Sequence, residues 1–396
     1  MRKGFKKLIS LGLVAGMLVA SLTGCGTKNT NDKEGTPTKA PASSETTGEK
    51  KVLKVGAMGP LTGEAASYGI SVKNGAQIAI DEINAAGGIK VGDVTYTLEM
   101  NFVDDEATPD IAITAYNTVM DWGAQVILGT VTSGACAAIT DLTFADGILQ
   151  ITPSGSALDL TENSNVFRLC FTDPFQGVTL ANYVKELGYT KVAIIYNNSD
   201  DYSTGIMEAF SEQAKANGAT IVANESFVKG ANDFNTQLTK IKATDAQVIV
   251  VPAYYNDAAF ITAQAKALGM NLPFLGSDGW DGVIAQSSDV SALEGAIFLS
   301  PFLATDENPA IKSFVGTYEK AFKATPDQFA ADGYDTVYVI KAAVEKAGSV
   351  ESEDLIAAMT EISIEGLTGS VSFTAQGEPN KGAKYIEIKD GQYVAK

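Results

Sequence analysis

From about residue 51 to the C-terminus, short apolar runs alternate with longer amphipathic segments, and this alternation constrains the fold more than any other feature. The runs "QVILGT" and "ILQIT" are continuously apolar, as expected of strands covered on both faces, and "VLKVGAM", "KVAIIYN" and "QVIVVPA" read as further strands. The segments between them carry helix punctuation. Thr108 stands as an N-cap ahead of Pro109, a helix starts near Ser133, and Asp173-Pro174 repeats the cap-plus-proline start. Gly87-Gly88 stops the first helix. Further helices are predicted from about Thr204, Asp233, Asp257, Pro309 and Gln328, and the chain closes with strands in "GSVSF" and "YIEIKDGQYV". Two successive β/α series predict an α/β protein of two doubly wound lobes with mostly parallel sheets. The 346 residues after Lys50 are too many for one core and suit two.

The first 50 residues read differently. "MRKGFKK" followed by the 17-residue apolar run "LISLGLVAGMLVASLTG" has the layout of a secretory leader, spanning 1–24. It ends in "LTGC", which resembles the bacterial lipobox and implies lipid modification of Cys25. Residues 25–50 are almost wholly small and polar, a composition that cannot repay ordering entropy, and they are predicted to form a disordered tether. Removing the four basic residues of the leader leaves 25 Lys and Arg against 47 Asp and Glu, a net charge of −22. That balance argues against nucleic-acid partners, whose binding rests on neutralising phosphates.

Much reactive chemistry is missing. Without histidine there is no Ser-His-Asp or Cys-His machinery and no imidazole metal site. Neither a Walker A loop nor a G-x-G-x-x-G fingerprint follows the first strand, so no cofactor is expected. Asp104-Asp105-Glu106 reads as a solvated rim at a strand end, and Cys136 and Cys170 as small buried residues. In open α/β sheets ligands bind where strands lead into helices. At those places this chain carries hydroxyls and tyrosines: 59–68, 130–134, 152–156, 197–203, 252–255 and 276–280.

The segments "VGAMGPLTG", "NGAQIAIDEINAAGGI", "ILGTVTSGACAAITD", "GILQITPSGSALDLT", "VAIIYNNSDDYSTG", "GSDG" and "ADGYDTV" fall in register with one family. The chain resembles the bacterial binding proteins for leucine, isoleucine and valine, the capture components of ABC importers with a type I periplasmic-binding-protein fold. The resemblance implies three crossings between lobes, with lobe one at 51–172 and 303–378 and lobe two at 173–302 and 379–396. It places the ligand's carboxylate on Ser133, Ser154 and Ser156, and its ammonium on Asp278, where family members often carry glutamate. Tyr68, Tyr202, Tyr254 and Tyr334 would be aromatic walls, with Val131, Thr132 and Trp280 as further pocket candidates. The helix beginning at Ser133 suits the carboxylate, since unpaired N–H groups there favour an anion.

The implied protein is a monomeric, non-enzymatic amino-acid binder, anchored outside the cytoplasm by lipid and partnered by an ABC permease and ATPase. A binder of another small solute (an amide, urea or an aromatic acid), and a sensory module reporting to a separate receptor, are the alternatives. The residues do not rank the candidate amino acids.

Overall fold

The computed structural model describes residues 49–396; the predicted leader, Cys25 and nearly all of the predicted tether lie outside the described residues. The first series runs β1 (Glu49–Gly59), α1 (Ala66–Ala85), β2 (Ile89–Val91), β3 (Val94–Asp104), α2 (Pro109–Asp121), β4 (Val126–Leu128), α3 (Ser133–Ala145), β5 (Gln150–Thr152) and β6 (Val166–Arg168). Glu49 and Lys50, assigned above to the tether, are thus already strand. These strands form a sheet in the order β2-β3-β1-β4-β5-β6, parallel except for β2, which turns back on β3.

The second series runs α4 (Asp173–Glu186), β7 (Lys191–Asn197), α5 (Asp201–Ala216), β8 (Thr220–Phe227), α6 (Asn235–Lys242), β9 (Val248–Val251), α7 (Tyr255–Ala267), β10 (Phe274–Gly276), α8 (Val283–Gln286) and β11 (Ile297–Ser300). The chain then passes back to the first lobe for α9 (Pro309–Phe322), α10 (Gln328–Ala347), α11 (Ser352–Ala358) and the hairpin β12 (Ser363–Gly366) and β13 (Gly369–Ser372). It returns once more for β14 (Lys384–Lys389) and β15 (Gln392–Ala395), completing a sheet in the order β15-β14-β11-β10-β9-β7-β8. The last two strands are antiparallel. Their Asp390-Gly391 turn holds both residues at positive φ, the hairpin chemistry of an Asp-Gly pair.

The runs of β4, β5 and β9 become strands buried at every residue, whereas β1 and β7 are not buried throughout, with Val52 and Lys191 exposed. The first lobe is locked by α1 against α10. A Cβ on Gly75 would stand 1.8 Å from the Ala330 carbonyl oxygen, and one on Gly333 2.3 Å from that of Val72. Only glycine lets the two backbones touch. One cap differs from expectation. The N-cap of α4 is Thr172, whose hydroxyl accepts from the Phe175 N–H at 3.3 Å, and Asp173 lies inside the helix. Short β2 and α11 were not anticipated, because neither has a distinctive apolar period. Among the described residues no helix is long and apolar enough to cross a membrane.

Both sheets have a point where strand order reverses. In the first it lies at β1, flanked by β3 and β4; in the second at β7, flanked by β8 and β9. Crevices at such points are where open α/β sheets bind ligands. The loops after β1, β4, β7 and β9 carry the hydroxyls and tyrosines singled out above.

Candidate ligand cleft

The two reversal points face each other across the lobe interface and enclose a small cavity. It is lined by Tyr68, Val131, Thr132, Ser133, Ser154, Ser156 and Phe329 of the first lobe and by Tyr202, Tyr254, Asp278 and Gly279 of the second. Seven of the eight predicted ligand-binding residues meet here. Tyr334 does not: its hydroxyl donates to Glu82 at 2.7 Å and its ring packs on Phe314 and Tyr338, along the α1–α10 seam. The aromatic that reaches the cleft from α10 is Phe329, in the helix's first turn. Trp280 is also elsewhere. It is buried in the second lobe's core, its indole N–H donating to the Val251 carbonyl at 2.8 Å.

The first lobe presents hydroxyls. Ser133, at the start of α3, accepts from the N–H groups of Ser156 and Ala157, both at 3.1 Å. Its own O–H hydrogen stays available to an acceptor. Ser154 is committed otherwise, donating to the Val131 carbonyl at 2.7 Å. Its predicted role as a direct ligand donor is therefore taken up by loop structure. The Oγ atoms of Thr132 and Ser156 are buried without a hydrogen-bond partner among the described residues. A buried hydroxyl left unpaired costs free energy unless something fills the position, so these two mark where an acceptor fits. Arg168, missed by the sequence reading, fixes this loop: its buried guanidinium donates to the carbonyls of Gly155, Ala157 and Leu158 and pairs with Glu378 at 3.0 Å. A lone arginine in an apolar strand gives no signal of such a task.

The second lobe presents acid and phenol. Asp278 is 4 % exposed, and burial pushes its carboxyl up to about 6 despite the hydrogen bond from Tyr202. The Tyr202 hydroxyl lies 2.6 Å from both Asp278 Oδ1 and Ser277 Oγ and accepts from the Gly279 N–H. Gln176 positions the same turn, its Oε1 accepting the Asp278 N–H at 2.9 Å. Asp173, one helical turn before Gln176, is buried beside the Ser156 hydroxyl, and burial raises its pKa well above the usual carboxylate range although that hydroxyl favours the charged form. Neither residue was foreseen, since "TDPFQG" reads only as a helix start.

Side chains cross the interface at several points. Tyr68 donates to the Gly279 carbonyl and accepts the Tyr255 N–H at 3.1 Å. Asn256 Nδ2 donates to the Glu64 carbonyl at 2.7 Å, and Gln328 Nε2 to that of Asp278 at 2.8 Å. Aromatic contact is continuous from Phe329 through Tyr68 and Tyr254 to Tyr202, with centroid separations of 4.1, 5.5 and 4.9 Å. The lobes are closed. The cleft encloses about 10 Å³, near the room needed for one water, so a larger solute is admitted only when the lobes part.

Asp104, the last residue of β3, serves the first loop, while Asp105 beside it is buried rather than part of a solvated rim. Asp104 accepts from the Leu61 N–H at 2.8 Å and the Thr62 hydroxyl at 2.6 Å. No group of three His, Cys, Asp or Glu side chains among the described residues is placed to hold a metal ion. Cys136 and Cys170 are both buried free thiols.

A cleft that admits its occupant by opening and encloses it by closing defines a solute-binding protein of the two-lobed kind. The chain belongs to the periplasmic binding protein family, whose sequence profile matches residues 52–392. It is 33 % identical over 308 residues to the Leu/Ile/Val-binding protein BraC3 of Rhizobium johnstonii, covering 77 % of this chain and 82 % of that one. Among solved structures it resembles the branched-chain amino acid transporter substrate binding protein LivJ of Streptococcus pneumoniae in complex with isoleucine, with TM-score 0.81 and 34 % identity over 87 % of this chain and 98 % of that one. The leucine binding protein LivK of Thermotoga maritima is similar at TM-score 0.79 and 27 % identity, covering 87 % and 97 %.

Proposed function

We propose that this protein is the extracytoplasmic solute-binding component of an ABC importer and captures a branched-chain amino acid between its closing lobes. The observation that carries this reading is the division of chemistry across the cleft. Hydroxyls and the N-terminus of α3 face from one lobe, and a buried carboxylate faces from the other. A zwitterion places its carboxylate against the first and its ammonium against the second. An aromatic acid, an amide or urea has no ammonium to set against Asp278. Tyr68, Tyr202, Tyr254 and Phe329 supply apolar surface for the side chain. The relatives named above support the assignment to leucine, isoleucine and valine.

Thermal denaturation of the purified chain with each of the twenty amino acids tests the reading. Isoleucine, leucine and valine are expected to raise the melting temperature, since a ligand at a hundred times its dissociation constant stabilises by about 2.7 kcal/mol. No shift with any of them overturns it. A permease and ATPase are the partners this role requires, and lipidated Cys25, outside the described residues, would hold the protein at the membrane. The mature protein should then partition into detergent, and Cys25→Ala should leave it soluble or unprocessed; equal partitioning of both forms argues against the anchor.

A further inference from the structure

A second and much larger cavity, about 950 Å³, opens along the flank of the lobe interface beside the passage at 302–305. That volume lies in the range of small-molecule sites. Ile70 of α1, Ile284 of α8, Phe302 and Phe322 of α9 give it apolar walls. It shares no lining residue with the cleft.

Two of the carboxyls that line it, one from each lobe, reach the first turn of α10. Asp281 Oδ2 accepts the Gln328 N–H at 2.8 Å, while Asp327 Oδ1 accepts the Ala330 N–H at 3.0 Å and its Oδ2 the Ser71 hydroxyl at 2.7 Å. Asp281 is 4 % exposed, and its carboxyl is met by two backbone N–H groups, that of Gln328 in direct hydrogen bond and that of Gly282, which is shared with the Tyr393 hydroxyl at 3.0 Å. Glu319 is a third acid in the lining, which contains neither lysine nor arginine. The helix N-terminus offsets part of this negative charge but cannot neutralise two carboxylates. Burial raises both pKa values, that of Asp327 to about 6, and the charge of Asp327 adds to the effect on Asp281.

Apolar walls around a buried acidic pair, with no basic residue in the lining, suit a cation with an apolar body, whose approach would draw both carboxyls into the charged form. A metal ion does not fit, since no three acidic groups among the described residues converge on one point. We propose that this cavity is a second ligand site, separate from the cleft, for small organic ammonium ions, with the ammonium held between Asp281 and Asp327 and the hydrocarbon against Ile70, Ile284 and Phe302.

Calorimetry with 2-phenylethylammonium, and with 2-phenylethanol as the neutral comparator, tests it. The ammonium should bind roughly 10- to 100-fold tighter than the alcohol, the range a charge-assisted hydrogen bond supports. Asp281→Asn and Asp327→Asn each keep an acceptor for the helix N–H and should each remove most of that difference. Asp278→Asn, which discharges the cleft, should leave it intact. No binding of the ammonium, equal affinity of both compounds for the wild type, or a difference lost in Asp278→Asn and kept in the other two variants overturns the proposal. The comparison of the two compounds on wild-type protein stands even if a variant folds poorly.

Discussion

The two lobes are built alike and line the cleft unalike. Each is a doubly wound sheet that offers the loops at its reversal point, yet the first contributes Thr132, Ser133 and Ser156 and the second Asp278, Tyr202 and Tyr254. Among the described residues no carboxylate enters the cleft from the first lobe, and the serines that line it come from the first. The same architecture thus presents hydroxyls from one jaw and acid and phenol from the other. The difference is written in side chains, while the scaffold is shared.

The sharpest way to break this comparison is to discharge one jaw. Asp278→Asn keeps shape and removes charge, so affinity for the cognate amino acid should fall roughly 10- to 200-fold, the equivalent of about 1.5–3 kcal/mol. The matching 2-hydroxy acid should lose much less. Ser133→Ala is the counterpart in the other jaw and should weaken both ligands alike. Equal losses for both ligands in Asp278→Asn would make Asp278 a turn residue and dissolve the division of charge.

A smaller effect is expected at the contact between the jaws. Tyr68→Phe removes a hydroxyl that serves the Gly279 carbonyl and the Tyr255 N–H, leaving two buried backbone groups unpaired in the closed arrangement. Amino-acid affinity should drop about tenfold. Small-angle scattering of the ligand-free variant should show a larger radius of gyration than wild type; identical profiles would mean that closure does not depend on this hydroxyl.

The smallest effect concerns stability alone. Burial raises the pKa of Asp173 above its unfolded value near 4. Its contribution to folding is therefore complete below about pH 4 and is lost as pH rises through the folded-state pKa. Asp173→Asn should raise the melting temperature at pH 8, change it little at pH 4, and so flatten the wild-type pH dependence. A variant less stable than wild type at pH 8 would show that the ionised carboxylate has a partner.

The β/α alternation, the N-cap position at Thr108, the helix start at Ser133 and the polar strand ends were legible because each is a local pattern with a local cause. So were the cleft residues next to those ends. Phe329 and Arg168 were not legible, because what matters about them is which distant segment they meet. Tyr334 illustrates the same limit: five residues beyond Phe329, it lies on another side of α10 and faces Glu82. Ser154 was correctly placed but misjudged in task, since the carbonyl it serves belongs to a loop 23 residues away.

The seam between α1 and α10 has a consequence in time. The strands of the first sheet are complete by Arg168, but the helix that touches α1 at Gly75 and Gly333 begins only at Gln328. A growing chain therefore has the whole second series, α4 through β11, in hand before its first lobe can cover α1. The lobe that begins first finishes late, and its early half must wait, with Val72, Ala76 and Ala79 uncovered, for a partner more than two hundred residues downstream.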